Sequence, residues 1–131
     1  MKRAIIFLLG ILFIILIIVG LYFFIVFMPT NGIFKEAKSV MSGEKIVAED
    51  NILSRYNSCE IHFPEVVEVD CNIRREWVWH DGKKGYMLVR YSCRYLNEDG
   101  EDVARMLNIE SKWIIERVDG HWEIVDILEG P

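Results

Sequence analysis

A long apolar run near the amino terminus constrains this chain more than any other feature. Residues 4–28 contain no charged side chain, and all 20 acidic residues of the 131-residue chain follow Met28. A helix of 25 residues spans about 37 Å, which exceeds the roughly 30 Å hydrocarbon core of a bilayer. Because a helix satisfies its own backbone groups in lipid, the run predicts one transmembrane helix over 4–28, with the lipid bilayer as its partner.

A cleaved secretory signal is the alternative interpretation of this run. Such a signal has an apolar region of about 7–15 residues and a small-x-small cleavage site. This run is longer and ends in Phe-Met-Pro-Thr-Asn-Gly, so we expect an uncleaved signal anchor. Lys2 and Arg3 precede the run, and no charge follows it before Lys35. The positive-inside rule therefore predicts a cytoplasmic amino terminus (1–3) in the cell membrane and a carboxyl-terminal domain outside.

The part of the chain after the run is acidic. Without Lys2 and Arg3, 13 basic residues remain against 20 acidic ones, a net charge of −7. This balance disfavours binding to the phosphates of nucleic acid. We expect a short linker at 29–32 and an extracytoplasmic domain at 33–131, whose length of about 100 residues suffices for one core.

The periodicity of apolar residues changes along the predicted outer domain. Helical spacing at 33–41 predicts one helix, and a less regular pattern at 46–56 favours a second. From Val66 onward apolar and polar residues alternate, which is typical of strands. The predicted strands cover about 66–79, 86–96 and 103–118, followed by one that starts after the Asp119-Gly120 turn. The expected fold class is α+β, with one or two helices packed on a four-stranded antiparallel meander sheet.

Strict alternation also predicts which side chains face the core. Odd positions of the first three strands and even positions of the last would point inward. All four tryptophans then lie on the core face: Trp77, Trp79, Trp113 and Trp122. The opposite face would carry Ile114, Val118, Val125 and Ile127, either covered or exposed as a surface for a partner.

The order of elements and the closing hairpin resemble those of the cystatin-like or nuclear-transport-factor-two-like superfamily. The local similarity lies in residues 111–124, Ser-Lys-Trp-Ile-Ile-Glu-Arg-Val-Asp-Gly-His-Trp-Glu-Ile. The resemblance implies helices on an antiparallel sheet, and membrane-anchored members act as assembly components of secretion and conjugation channels. Soluble members include enzymes, so the resemblance does not choose a function.

Two of the three cysteines are predicted to face each other. Cys71 and Cys93 fall on the core face of adjacent strands, opposite one another if the turn occupies 81–83. They form either a disulfide in an oxidising compartment or two buried thiols. Cys59 remains, and its proximity to His62 is a weak basis for a nucleophile. No CxxC pair or Cys/His cluster is present, so we expect no metal and no cofactor.

A polar ligand site on the predicted sheet is the most specific functional hypothesis that the sequence offers. Arg75 and Asp126 interrupt the predicted apolar face, and each would need a partner there. One interpretation is a ligand site that they form with Tyr91. The alternatives are a structural ion pair between them, or exposure of both side chains at the rim of the sheet. His80 and His121 are expected at the surface.

The sequence favours a binding role over catalysis. It contains no phosphate-binding glycine loop and no GxSxG motif. We expect a membrane-anchored, non-catalytic protein whose outer domain binds another envelope protein or assists assembly. The alternative is a domain that binds a small ligand on the concave sheet face.

Overall fold

A computed structural model of the chain describes residues 1–57 and 64–130. Its amino-terminal half is helical, and its carboxyl-terminal half is one sheet. The helical elements are α1 (Lys2–Tyr22), a π-helical turn (Phe23–Phe27), a 3-10 turn (Met28–Thr30), α2 (Asn31–Met41) and a second 3-10 turn (Ile52–Tyr56). The second helix that the sequence favours at 46–56 is present only as the last of these turns.

The first four helical elements follow one another without a break from Lys2 to Met41. This helix is long and apolar enough to cross a membrane, and none of the α1 residues is buried. The predicted linker at 29–32 is therefore helical, shared between the 3-10 turn and the first turn of α2. The amphipathic α2 buries Ala37, Val40 and Met41 against the sheet.

The sheet confirms the predicted fold class. Its strands are β1 (Glu68–His80), β2 (Lys84–Leu96), β3 (Asp102–Val118) and β4 (His121–Glu129), all antiparallel in the order β1-β2-β3-β4. The tight turn at Asp119-Gly120 sets the register, and the predicted pairs Val118–His121 and Ile115–Ile124 are both present. Trp113 is fully buried at the centre of the core.

A β-bulge at Glu76 makes the predicted inner face of β1 wrong beyond Arg75. Glu76 has no partner in β2, because the register shifts between Arg75 and Trp77. One extra residue reverses the alternation, so the side chains that follow change faces. Trp77 and Trp79 are 45% and 52% exposed, whereas Val78 and His80 are buried. The prediction that His80 lies at the surface is therefore also wrong.

Further register shifts in β3 and β4 also change which side chains face the core. In β3 the register shifts opposite Ser92, and Leu107 is exposed instead of buried. In β4 it shifts at Val125, so Ile127 enters the core and Asp126 lies on the exposed face. The predicted inward position of Asp126 is wrong for this reason.

Cys71 and Cys93 lie directly opposite each other in β1 and β2, as their spacing predicts. They form a disulfide, with Cα atoms 4.1 Å apart. The bond ties the edge strand β1 to its neighbour at the end of the sheet far from the β1–β2 turn. Cys59 and His62 lie outside the described residues.

Candidate functional site: the junction of the helix and the sheet

The long helix changes its hydrogen bonding where it meets the sheet. Pro29 has no backbone N–H, so it cannot continue an α-helical pattern. The Met28 N–H bonds the Phe23 carbonyl, five residues back, and the Asn31 N–H bonds the Met28 carbonyl, three residues back. An α-helical Asn31 would instead bond the Phe27 carbonyl. That carbonyl accepts a side-chain hydrogen bond from the Thr30 hydroxyl, at 2.9 Å.

Arg75 of β1 is a further side-chain donor to this carbonyl. Its guanidinium donates to the Phe27 carbonyl at 3.3 Å and to the Thr30 Oγ1 at 2.8 Å, and it also bonds the Asn31 side-chain oxygen. A planar guanidinium offers several donors in a fixed fork, which suits three acceptors spread along a helix. Asn31 is the first residue of α2, and its side-chain oxygen accepts from Arg75.

Aromatic rings surround the same guanidinium. Its central carbon lies 3.5 Å from the centroid of the Phe27 ring and 5.1 Å from that of Phe34. Burial lowers the pKa of Arg75, with the nearby Tyr22 acting in the opposite direction. Among the described residues no carboxylate lies within ion-pair distance of Arg75. The charge is therefore stabilised by carbonyl dipoles and ring faces.

His80 makes a further contact between β1 and the helix. Its Nε2 lies 2.9 Å from the Val26 carbonyl, which only accepts, so Nε2 carries the proton. Its Nδ1 accepts from the Gly82 N–H at 3.2 Å. The ring also packs against Trp122 of β4, with 4.4 Å between centroids. His80 therefore connects the helix with both outer strands of the sheet.

Because Gly85 has no side chain, the backbone of β1 at Trp79 and His80 can pack closely against it. A Cβ atom at Gly85 would lie 2.0 Å from the Trp79 carbonyl oxygen and 2.6 Å from the His80 Cα. Both of these are backbone atoms that a side-chain movement cannot relieve. A glycine inside a strand often marks such a close approach, so it is the sequence signal that points to this contact.

Tyr22 covers the open edge of β1. Its hydroxyl donates to the Val78 carbonyl at 2.7 Å and accepts from the Val78 N–H at 3.3 Å. The Tyr22 ring stacks on Trp77, with 5.1 Å between centroids. A side chain from the helix thus replaces the strand that an open sheet edge would otherwise accept. We call this set of contacts the junction: Tyr22, Val26, Phe27, Thr30, Asn31, Arg75, Val78 and His80.

The structure does not bring the three predicted ligand residues into one site. The polar contacts of Arg75 go to the helix, and Asp126 is exposed and accepts from the Ile127 N–H at 2.8 Å. Tyr91 is buried, and its hydroxyl donates to Glu129 at 2.9 Å. No ion pair joins Arg75 and Asp126 among those of the described residues. Ligand binding by these residues stays a prediction that this arrangement does not favour.

Tyr91 belongs to a closed polar network beneath the 3-10 turn Ile52–Tyr56. Tyr56 also donates to Glu129 at 2.9 Å, and the Trp113 indole donates to the Tyr56 hydroxyl at 3.2 Å. Arg55 lies 3.5 Å from the other Glu129 oxygen. Burial, with the nearby Glu129 charge, raises the pKa of Tyr56, and burial with the nearby Tyr56 raises that of Tyr91. Both hydroxyls therefore stay protonated and serve as donors within the core.

The outer edge of β4 differs from that of β1. Arg55 donates to the Ile127 carbonyl at 3.1 Å, and Asp126 accepts from the Ile127 N–H, so side chains satisfy the backbone at that residue. Nearer the β3–β4 turn, a groove of about 520 Å³ runs between β4, α2 and the 3-10 turn. Its lining combines apolar and acidic residues: Ile33, Glu36, Asp50, Ile52, Trp122, Glu123 and Val125. Within the described residues β4 has no strand on this side.

Metal binding finds no support in the described part of the chain, where no group of three His, Cys, Asp or Glu side chains is placed to hold an ion. Comparisons of the chain with family models, curated proteins and solved structures gave no match.

Proposed function

We propose that this is a single-pass membrane protein whose extracytoplasmic domain binds another envelope protein and holds it at a fixed position above the bilayer. In this proposal residues 4–28 anchor the chain, the amino terminus is cytoplasmic, and the role is binding or assembly without catalysis. The junction is the observation that carries it. A helix able to cross a membrane continues directly into contacts with β1, so the domain has a defined position relative to that helix.

The chemistry of the junction supports a mechanical role. The linking groups are a half-buried arginine, a buried histidine and a tyrosine hydroxyl, each bonded to backbone of the other element. Hydrogen bonds within a protein contribute about 0.5–1.5 kcal/mol each, and the charge of Arg75 strengthens its own bonds, whereas a flexible tether supplies none of these contacts. Such a connection suits a protein that must place a binding surface at a constant height.

The edge of β4 is the surface that best suits a protein partner. An extended segment can add to a free strand edge, where main-chain hydrogen bonds give affinity and side-chain pockets give specificity. Ile33, Ile52 and Trp122 offer apolar contacts in the adjoining groove. Glu36 pairs with Lys45, whereas Asp50 and Glu123 have no described ion pair. An extended segment with apolar and basic residues is therefore the partner that we propose.

Photo-crosslinking in cells tests this assignment. A photoreactive residue replaces Val125, which is exposed at the groove, in the full chain. We expect discrete adducts with one envelope protein. The matched control places the same residue at Leu107, which is exposed in β3 away from the groove. Equal adduct patterns from both positions would contradict binding at β4.

Charge-reversal variants in the same experiment distinguish binding in the groove from chance proximity of another protein. Glu123→Lys reverses an acidic charge of the groove and should reduce the Val125 adducts if the partner segment is basic. Glu101→Lys, in the β2–β3 turn at the other end of the sheet, is the control of equal charge change. A similar loss from both variants would indicate a general charge effect and count against the β4 groove.

The order of one long helix and a four-stranded meander also supports a relation to the cystatin-like superfamily. This relation is part of the proposal and determines none of the residue assignments above.

A further inference from the structure

We propose that Trp77 and Trp79 lie in the outer headgroup region of the bilayer and hold the sheet against the membrane surface. This inference rests on the proposed membrane anchoring and adds a second lipid contact to it. Both indoles project from the outer face of β1 because of the Glu76 bulge, and about half of each side chain is exposed. The other two tryptophans differ, since Trp113 is buried and Trp122 packs on His80.

The contacts of the junction place the end of β1 beside the outer end of the apolar run. Val78 bonds Tyr22, and His80, the last residue of β1, bonds the Val26 carbonyl, four residues further from the amino terminus of the helix. Four helical residues rise about 6 Å, so the strand does not continue below the level of Tyr22 as it approaches its turn. The part of β1 that carries Trp77 and Trp79 therefore lies where the helix leaves its apolar run.

The charges of this turn limit how deep the domain can sit. Asp81, Lys83 and Lys84 follow His80 and are exposed. Charged groups are costly in hydrocarbon, so this turn must remain at the headgroups or above them. A span from Ala4 to Phe23 already provides about 30 Å of helix, enough for the hydrocarbon core. The outer boundary of the hydrocarbon then falls near Tyr22, beside Val78.

Apolar side chains at this level form a surface that is continuous with the membrane helix. Phe23, Phe24 and Ile25 follow Tyr22 and remain 46%, 67% and 61% exposed, since the sheet does not cover them. Trp77 stacks directly on Tyr22, so the indole starts where the helix leaves the hydrocarbon. Tryptophan is enriched at this depth, because its ring is apolar and its N–H is polar. These properties favour lipid over a protein partner for this patch.

Depth-dependent fluorescence quenching tests the inference. The full chain is reconstituted at low density into phosphatidylcholine vesicles that carry bromine near the headgroup or near the chain ends. We expect shallow bromines to quench the tryptophan emission more strongly than deep ones. Trp77→Phe/Trp79→Phe should lose most of that shallow quenching. Trp122→Phe, which removes a tryptophan of the core face, should retain it.

Membrane anchoring is measured on the same vesicles, by their retention of protein after alkaline carbonate washing. Retention without shallow quenching would overturn the tryptophan assignment and leave anchoring intact. Loss of the protein from the vesicles would refute anchoring itself. Quenching that persists in the double variant would overturn the assignment. A fall in quenching as protein density rises would show a second copy on the patch and would also overturn it. A far-ultraviolet spectrum like that of the wild type confirms that each variant folds.

Discussion

The two outer strands of the sheet are held in different ways. β1 is joined to β2 by the Cys71–Cys93 disulfide, and its edge is covered at Val78 by Tyr22. β4 has side-chain partners for its edge at Ile127, and an acidic, partly apolar groove lies beside the rest. The comparison teaches that one side of the sheet is specialised for attachment to the helix. On the other side, no strand among the described residues pairs with the outer edge of β4, and we propose that edge as the binding surface.

Removing the disulfide should have the largest effect on this contrast. It closes a loop of 22 residues in sequence, so Cys71→Ala/Cys93→Ala should lower the free energy of unfolding by about 3 kcal/mol. Urea titration of the full chain in detergent, followed by tryptophan fluorescence, measures the change. Reduction of the wild type should reproduce the loss. Equal stability of the double variant and the oxidised wild type would show that β1 does not depend on the bond.

Gly85→Ala should cause the second-largest loss in the free energy of unfolding. The new Cβ atom would meet the backbone of Trp79 and His80, so the strands must shift, which costs about 2 kcal/mol. Gly32→Ala is the matched control, because no atom lies within 4 Å of a Cβ there. It should leave stability unchanged or increase it by up to about 1 kcal/mol, since alanine favours helices. Equal effects of the two substitutions would contradict the close packing of β1 on β2.

Arg75→Leu tests the attachment of β1 to the helix. The variant loses the bonds to the Phe27 carbonyl and Thr30, and we expect a loss of about 1.5 kcal/mol in the same titration. The stability of Arg75→Lys should lie between those of the wild type and Arg75→Leu, because lysine keeps the charge but lacks the forked donors of the guanidinium. Arg74→Leu is the control, since Arg74 is exposed and, among the described residues, forms an ion pair with Glu76 alone. Arg74→Leu should lower the free energy of unfolding by about 0.5 kcal/mol or less. An equally small loss in Arg75→Leu would contradict the claim that Arg75 holds β1 on the helix.

Asp126→Ala should have the smallest effect, at the opposite edge. The Ile127 N–H loses its side-chain acceptor, but water can replace it, so we expect a loss of about 0.5 kcal/mol. Asp126→Asn keeps an oxygen acceptor and should be close to the wild type in the same urea titration. A loss as large as that of Arg75→Leu would contradict the view that the β4 edge is lightly held.

The sequence predicts the order of the strands and their pairing because tight turns and a regular period carry that information. The sequence does not predict the positions of the β-bulges. At positions 77–79 the residues are Trp, Val and Trp, so both faces look apolar and the change at Glu76 leaves no trace in the pattern. A bulge at Val125 hides the outward position of Asp126 in the same way.

The junction is only partly visible in the sequence. An arginine on a predicted apolar face, such as Arg75, indicates that the guanidinium has a partner. Its acceptors are one backbone carbonyl and two side chains of a helix about 45 positions away, and no local pattern predicts such a long-range contact. Pro29 inside a helical run and Gly85 inside a strand are local features on the two sides of the junction, but neither identifies the partner residues.

Amide hydrogen exchange at Val78 tests the central claim most directly. The Val78 N–H is on the open edge of β1, and its partner is the Tyr22 hydroxyl of the helix. In the full chain in lipid nanodiscs, we predict protection at Val78 that Tyr22→Phe reduces about fivefold, equivalent to about 1 kcal/mol. The amide of Val89, in the interior strand β2, should keep its protection in both proteins. Exchange of Val78 at the rate of an unprotected amide in the wild type, or an unchanged rate in Tyr22→Phe, would contradict a sheet held on the helix.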